Sequence, residues 1–578
     1  YKQPDASYVS RTLSTRTYDA ADRLIADTDV YDVYNVTTQY RYDAAGNLIA
    51  VVDPYQHTTR YEYDAMNRRT AVIDANGHRT TTTYDLAGRI KTVTNANGET
   101  VTNGYDALGR LTSVTDPLGF LTQFQYDANG NRTCTVDANA QAGLQPKNIF
   151  GCTESRFYDE LNRLVAVRDA RNGLTQTTYD LLGDVTSIQD AANKTTTFAY
   201  DDLGRLIQTT DPLNKTTLIA RDQAGNAYQL TNRLNQVTQA TFDRLNRPTR
   251  YDYLTDGTNE TITYDPYGNK ATVANATVTY TFAYDAKNRL LSKLDSRSGK
   301  RLTFGYDAVD NLLTKTDYQN DTTDFQYDST HRRVSMSNKA YLKAMYQYDP
   351  AGRLLTRVLS NGAQSAYAYD QNGRLTSLLM TSANNSPITN IAYTHDRTGH
   401  ITQAAGLLGA GQSDTRTYTY DALYRLTAVS STANVLLSAA EAFTYDNVGN
   451  RSLHTDNAGN TRAYEYYPNS NRLKALHTGT LTGTIEKSFT YDDEGRLTNQ
   501  TGTGAKTITW DQKNRVKQMV SGTHTNAFQY DPMDYRLGRQ GGTLGTRDYY
   551  LEGEHLEAEY ANNQLQAKYF RGLTTDEL

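Results

Sequence analysis

Cysteine is almost absent from this chain: Cys134 and Cys152 are the two in 578 residues, enough for a single disulfide and without a Cys-x-x-Cys pair for metal. No apolar run approaches the ~18 residues of a membrane helix, so membrane insertion by a helix of this segment is not expected. Lysine and arginine are scattered singly and the net charge is −5, leaving no basic footprint for nucleic acid or anionic lipid. No Pro/Gly/Ser linker or charge block interrupts the chain, which speaks for one continuous architecture. Motifs of catalysis and cofactor binding are missing as well: no H-E-x-x-H, no G-x-S-x-G elbow, no P-loop and no dinucleotide fingerprint. A hydrophobic fraction of 38% and a mean hydropathy of −0.70 are too low to fill a solid interior at this length.

What the chain has is tyrosine, 46 of them, at a spacing close to ~21 residues. An aromatic residue followed by Asp, usually within Tyr-Asp-x-x-Gly-Arg-Leu, begins at Tyr18, Tyr42, Tyr63, Tyr84, Tyr105, Tyr126, Tyr158, Tyr179, Tyr200, Phe242, Tyr264, Tyr284, Tyr306, Tyr327, Tyr348, Tyr369, Tyr420, Tyr445, Tyr491, Trp510 and Tyr530. Degenerate copies at Arg221, His395, Tyr467 and Tyr550 fill the gaps. A short fixed period means one supersecondary unit stacked many times, each too poor in apolar surface to fold alone.

The stretch Leu111–Asn131 reads as strand, turn, strand, turn. Its Thr, Val, Phe and Tyr suit pleated structure, and its apolar runs have strand length, so helix is expected to be scarce. Asp116-Pro117-Leu118-Gly119 and Asp127-Ala128-Asn129-Gly130 are turns by mechanism: Asp accepts backbone N–H groups, and Gly takes a positive φ. Along the second strand, Phe124 and Tyr126 share one face and Gln125 takes the other. The anchors singled out are Tyr42, Tyr63, Tyr84, Tyr105, Tyr126, Tyr179, Tyr200, Tyr348 and Tyr369, each expected to work by ring burial at up to ~4–6 kcal/mol. On this view Tyr105→Ala or Tyr200→Ala costs ~3–5 kcal/mol and Arg110→Ala far less.

Cys134 and Cys152 flank the largest expansion of the repeat, between Tyr126 and Tyr158, and are the candidate disulfide, which would point to an oxidising compartment. Two unpaired thiols are the other reading, since sequence does not give their separation. The nine histidines lie scattered; His395 and His400 flank one degenerate turn without a third ligand spaced beside them. The abundant Asp residues recur because the turn recurs, and Asn-x-Thr sequons such as Asn35, Asn193, Asn214 and Asn275 follow from composition. No catalytic, cofactor-binding or metal-ligating residue is assigned, and no cofactor is expected.

The in-phase Tyr-Asp units, with copies such as Tyr105-Asp-Ala-Leu-Gly-Arg-Leu111 and Tyr200-Asp-Asp-Leu-Gly-Arg-Leu206, resemble the YD repeats of the RHS family, which includes bacterial Rhs polymorphic toxins, toxin-complex C components, wall-associated proteins and teneurins. The tail from Tyr549 to Tyr560, followed by Tyr569-Phe-Arg-Gly572 and Asp576-Glu577-Leu578, is similar to the closing segment of the bacterial RHS core. The resemblance implies an all-β fold of antiparallel hairpins wound spirally into a hollow shell: a lead-in strand over 1–17, the repeat shell over 18–556 and the closing segment over 557–578. It implies a structural, non-enzymatic role, the shell of a secreted bacterial toxin enclosing a C-terminal toxic domain, with plug or cap segments and delivery components outside this segment. The chain reads as an interior piece of something longer: it opens at Tyr1-Lys2-Gln3-Pro4, and it stops before any paired Asp-Pro-x-Gly motif. The alternative is an extracellular cell-surface adhesion or carbohydrate-binding protein.

Overall fold

Strand-length runs separated by Asp-x-x-Gly turns favour consecutive hairpins, each pairing with the one before. A computed structural model describes residues 14–30, 35–338, 342–407, 413–432, 440–542, 545–552, 555–561 and 564–569. They form one 51-stranded sheet. Each strand pairs antiparallel with its neighbour in sequence, from Ser14–Tyr18 to Gln564–Lys568. Among the described residues nothing pairs the first strand with the last, and the only helix is one turn, Ala138–Gln141, inside the expansion. Most of the lead-in stretch, and Gly572 to Leu578, lie outside the described residues. Residue 557 falls inside strand His555–Ala561, so the closing segment continues the sheet.

In the turn after Tyr105, the Asp106 N–H donates to the Arg110 carbonyl (3.0 Å) and the Gly109 N–H to the Asp106 carbonyl (3.1 Å). Asp106 Oδ1 accepts the N–H groups of Leu108 and Arg110, both at 2.9 Å. Gly109 has φ +83°, and Asn67 fills the same place at φ +59°. Register slips by one residue next to the tyrosine, between Gln125 and Tyr126 as between Thr83 and Tyr84, a β-bulge that sharpens local twist and recurs around the sheet.

The sheet winds back onto itself. The turn holding Asn76 meets the turn holding Asp328, with Nδ2 3.2 Å from Asp328 Oδ2 and 3.1 Å from Thr330 Oγ1. Asn97 reaches Asp349 (2.9 Å), Asn372 reaches Asp116 (2.6 Å), and the Asn275 amide donates to the Tyr530 carbonyl (3.0 Å). These partners lie 252 to 256 residues apart. From Asn76 to Asp328 there are 23 strands, the seventh to the twenty-ninth, and from Asn275 to Tyr530 again 23, the twenty-fifth to the forty-seventh. One winding is therefore 23 strands, and the 51 strands make a little over two windings. At ~4.8 Å per strand a winding is about 110 Å around, or about 35 Å across between backbones. The accessible surface is 30989 Å², against about 20,000 Å² for a compact solid of this mass. Both faces of the wall are wetted.

Candidate functional site: the wall and its seams

Two parts of the wall carry its chemistry: the lattice that makes it rigid, and the seams that join one winding to the next. In the lattice each of the nine anchor tyrosines donates its hydroxyl to a backbone carbonyl of the preceding hairpin: Tyr42 to Leu24, Tyr63 to Leu48, Tyr84 to Arg69, Tyr105 to Ile90, Tyr126 to Leu111, Tyr179 to Leu164, Tyr200 to Val185, Tyr348 to Arg333 and Tyr369 to Leu354, at 2.7–3.0 Å. Two of the residues that replace the tyrosine keep a donor, Trp510 Nε1 to Leu497 (2.8 Å) and Arg221 Nε to Leu206 (3.3 Å), while Phe242 does not. The nine anchor residues are half-buried rather than wholly buried, because both faces of a thin sheet meet water, so the upper bound of whole-ring burial is not reached.

The repeat arginine is a second connector, and the ranking that discounted Arg110 is revised. Arg110 Nε donates to Asp106 Oδ2 (2.7 Å), its Nη1 to the Asp127 carbonyl of the next turn (2.8 Å), and its guanidinium lies 4.9 Å from the centre of the Tyr126 ring. Arg89, Arg163 and Arg353 make the same triple contact. Asp106 is held below the ordinary carboxylate range, chiefly by the Arg110 backbone N–H. The opposite face carries hydroxyls paired across strands, such as Thr263 with Thr272 (2.7 Å) and Thr444 with Ser452 (2.7 Å), and charged pairs such as Arg79 with Glu62 (2.6 Å).

At the seams one turn position supplies several of the contacts, and sequence reading missed it. Two residues after the turn Asp, the first winding carries Met66, Leu108, Leu161, Leu182, Leu203 and Leu245, all exposed. The same position in the second winding carries Thr330, Asn372, Thr398, Glu494 and Lys513, and each bonds to the first winding: to Asn76, Asp116, Asn139, the Arg233 N–H and Glu260 respectively. The position is not polar throughout the second winding, where Leu423, Val448 and Met533 also occupy it.

The seams carry buried charge towards the C-terminal end. Burial pushes the Glu260 carboxyl up while two hydrogen bonds from Lys513 Nζ (2.7 and 2.8 Å) oppose it. Lys293, buried against Tyr280 and donating to the Leu551 carbonyl (3.2 Å), is pushed down to about 8 by desolvation. Lys568 pairs with Asp317 (2.6 Å) and Asp321, and Leu302 and Tyr318 pack on Tyr550, Ala558 and Tyr560.

Cys134 and Cys152 form a disulfide, with Cα atoms 5.6 Å apart. It closes the base of the expansion, where Cys134, Val136, Ala140 and Cys152 pack together. The expansion is itself a seam contact: Asn139 donates to Asp396 (2.8 Å) and Thr398 (2.9 Å), and Tyr424 donates to Asp137 (2.7 Å). His395 and His400 gain no third ligand; His400 pairs with Asp396 (3.2 Å) and stacks on Tyr424. Among the described residues one group of metal-capable side chains converges, Asp53 and His57 of one turn with His331 of a later one.

The class these observations define is a wound antiparallel β-wall of Tyr-Asp hairpins, fastened along its turns. Profiles of known families agree: the RHS Repeat profile matches residues 42–79, 70–100, 105–142, 158–195 and 179–216, and the Teneurin YD-shell profile matches 261–388. The chain therefore carries RHS-type and YD-shell-type repeats over these stretches. No curated protein sequence matches it. Among solved structures it is similar to the crystal structure of TcdB2-TccC3, at 15% identity over 94% of this chain and 39% of that one, TM-score 0.46. It is also similar to the Photorhabdus luminescens Tc holotoxin pore carrying TccC3-D651A, at 16% identity over 94% and 31%, TM-score 0.41. The chain spans about two fifths or less of these structures, and the winding described above rests on its own contacts. No helix among the described residues is long and apolar enough to cross a membrane, a statement that leaves β-barrels aside.

Proposed function

We propose that this chain is the wall of an encapsulating shell belonging to a secreted bacterial toxin, and that the longer protein holds a C-terminal toxic domain inside it until delivery. The observation that carries the reading is the edge-to-edge return of the sheet after 23 strands, which turns a thin ribbon into a wall around a wetted space. Containment needs rigidity and closure rather than chemistry, and the wall supplies the first through its Tyr and Arg ties and the second through its seams. The reading gives the wall no enzymatic step. The exposed apolar tips at Met66, Leu108, Leu161, Leu182, Leu203 and Leu245 favour a cap or plug on that rim, since the end turns of a stacked array need covering.

Limited proteolysis of the parent protein tests this. The domain following the wall is expected to resist protease while the shell is intact and to be cleaved once the shell is denatured. Equal digestion in both states rejects containment and favours the alternative, an extracellular adhesion or carbohydrate-binding surface.

A further inference from the structure

The Asp-x-x-x-His turn at Asp53 is an ordinary unit of the repeat with one added partner. In three turns of this chain a histidine lies four residues after the turn Asp and pairs with it: His57 with Asp53 (3.0 Å), His78 with Asp74 (3.1 Å) and His400 with Asp396 (3.2 Å). Only at Asp53 does a second histidine arrive from the next winding: His331 Nε2 lies 3.4 Å from Asp53 Oδ2. The His57 and His331 rings meet edge to face, centroids 5.9 Å apart. His331 stands in the left-handed turn position, φ +64°, that its relatives in the chain give to Gly or Asn.

We propose that Asp53, His57 and His331 form a binding site for a zinc-like divalent cation that ties the first winding to the second. All three donor atoms lie within 4.8 Å of one another. Bonds of ~2.0–2.1 Å at a tetrahedral ion place neighbouring ligand atoms ~3.3 Å apart, which is close to the 3.0 and 3.4 Å separations from Asp53 Oδ2. The carboxylate is already aimed: Asp53 Oδ1 accepts the N–H groups of Tyr55 and His57, both at 2.8 Å, leaving Oδ2 for the ion. Two imidazoles and one carboxylate suit Zn²⁺ or Co²⁺ rather than Mg²⁺ or Ca²⁺, which prefer all-oxygen sets. The site borders a cleft of about 410 Å³ lined by Tyr55, Asn311 and Asp328, which leaves the fourth position to water. Loading Nε2 of His331 puts its proton on Nδ1 and ends the 3.2 Å contact with Asn311 Nδ2, which keeps its hydrogen bond to Asp307 Oδ2 (2.8 Å). Because His331 lies 274 and 278 residues beyond His57 and Asp53 in the chain, ion binding and closure of this seam are linked.

The test uses tag-free full chain at neutral pH, stripped with chelator and titrated with Co²⁺ and Zn²⁺. Variants borrow the repeat's own residues so that the turns keep folding: His331→Gly supplies the usual left-handed glycine, and His57→Asn keeps a side-chain donor to Asp53, as Asn131 does for Asp127 (2.9 Å). The wild type is expected to bind one equivalent of Co²⁺ with a tetrahedral visible spectrum. Zn²⁺ should displace that Co²⁺ and slow amide exchange around residues 307–311. Each ligand variant should weaken binding ~10–100-fold, while His78→Asn leaves it unchanged. The proposal is overturned if the wild type binds Co²⁺ no more tightly than His331→Gly, if His78→Asn loses as much, or if the ion binds without slowing exchange across the seam.

Discussion

At the residue scale, the tyrosine hydroxyl explains why the repeat keeps tyrosine where phenylalanine would pack as well. Tyr348, half-buried and donating to the Arg333 carbonyl at 2.7 Å, is the place to measure it. Tyr348→Phe is expected to cost about 1 kcal/mol in a urea titration through the lost hydrogen bond, and Tyr348→Ala about 3 kcal/mol through ring and bond together. Tyr105→Ala should cost less than Tyr348→Ala, because Tyr105 sits where its hydroxyl contact is exposed. Arg332→Ala should shift the urea midpoint more than Tyr348→Phe does, since it removes the Asp328 pair, the tie to the Asp349 carbonyl and the stack on Tyr348.

The turn carboxylates set the response to acid. Burial pushes Asp328 up, but hydrogen bonds from the Arg332 N–H, the Thr330 hydroxyl and the Arg332 side chain outweigh it and bring it to about 2, from 3.8. A folded value below the unfolded one means stability that is full above about 3.8 and lost as pH falls towards 2. Circular dichroism across that window should show loss of structure in the wild type, and a smaller pH dependence in Asp328→Asn, which also gives up charge at the Asn76 seam contact.

At the scale of elements, a turn lies on the rim or at a seam, and the residue two after the turn Asp makes several of the seam contacts. Asn372→Leu gives a seam turn the residue of a rim turn and leaves Asp116 without its 2.6 Å donor; it is expected to cost about 1 kcal/mol or more. Leu108→Asn, made on the open rim, should be neutral within ~0.5 kcal/mol. Urea midpoints of the two variants compare them directly, and equal effects would contradict the assignment of rim and seam. The stapled expansion is the other special element. Cys134→Ser with Cys152→Ser should cost about 3 kcal/mol by loosening an 18-residue loop, and exchange should quicken at Asp396, Thr398 and Tyr424, where the loop docks.

At the scale of the whole molecule, wound wall and solid globule differ in shape. Small-angle scattering of the isolated chain is expected to give a radius of gyration above the ~25 Å of a compact 578-residue protein, by 2.2·N^0.38, and a distance distribution with depleted short vectors. A compact value would mean the windings collapse on one another and would remove the space that containment needs.

The sequence by itself determined the hairpin, its period and its count, because turn chemistry and strand patterning are local: Asp106, Gly109 and Tyr105 act within or next to their own unit. It also located the cysteine pair and, through the family resemblance, the shell. Only the tertiary structure decided the rest. Which carbonyl a tyrosine hydroxyl meets depends on twist and bulge, and whether Arg110 is a surface charge or a connector depends on where the next ring lies. The 23-strand winding accumulates from small rotations that no single repeat encodes visibly. It is this winding that brings Asn76 to Asp328, Asn139 to Asp396, and His331 to Asp53 and His57, contacts between residues that one-dimensional spacing keeps more than two hundred positions apart.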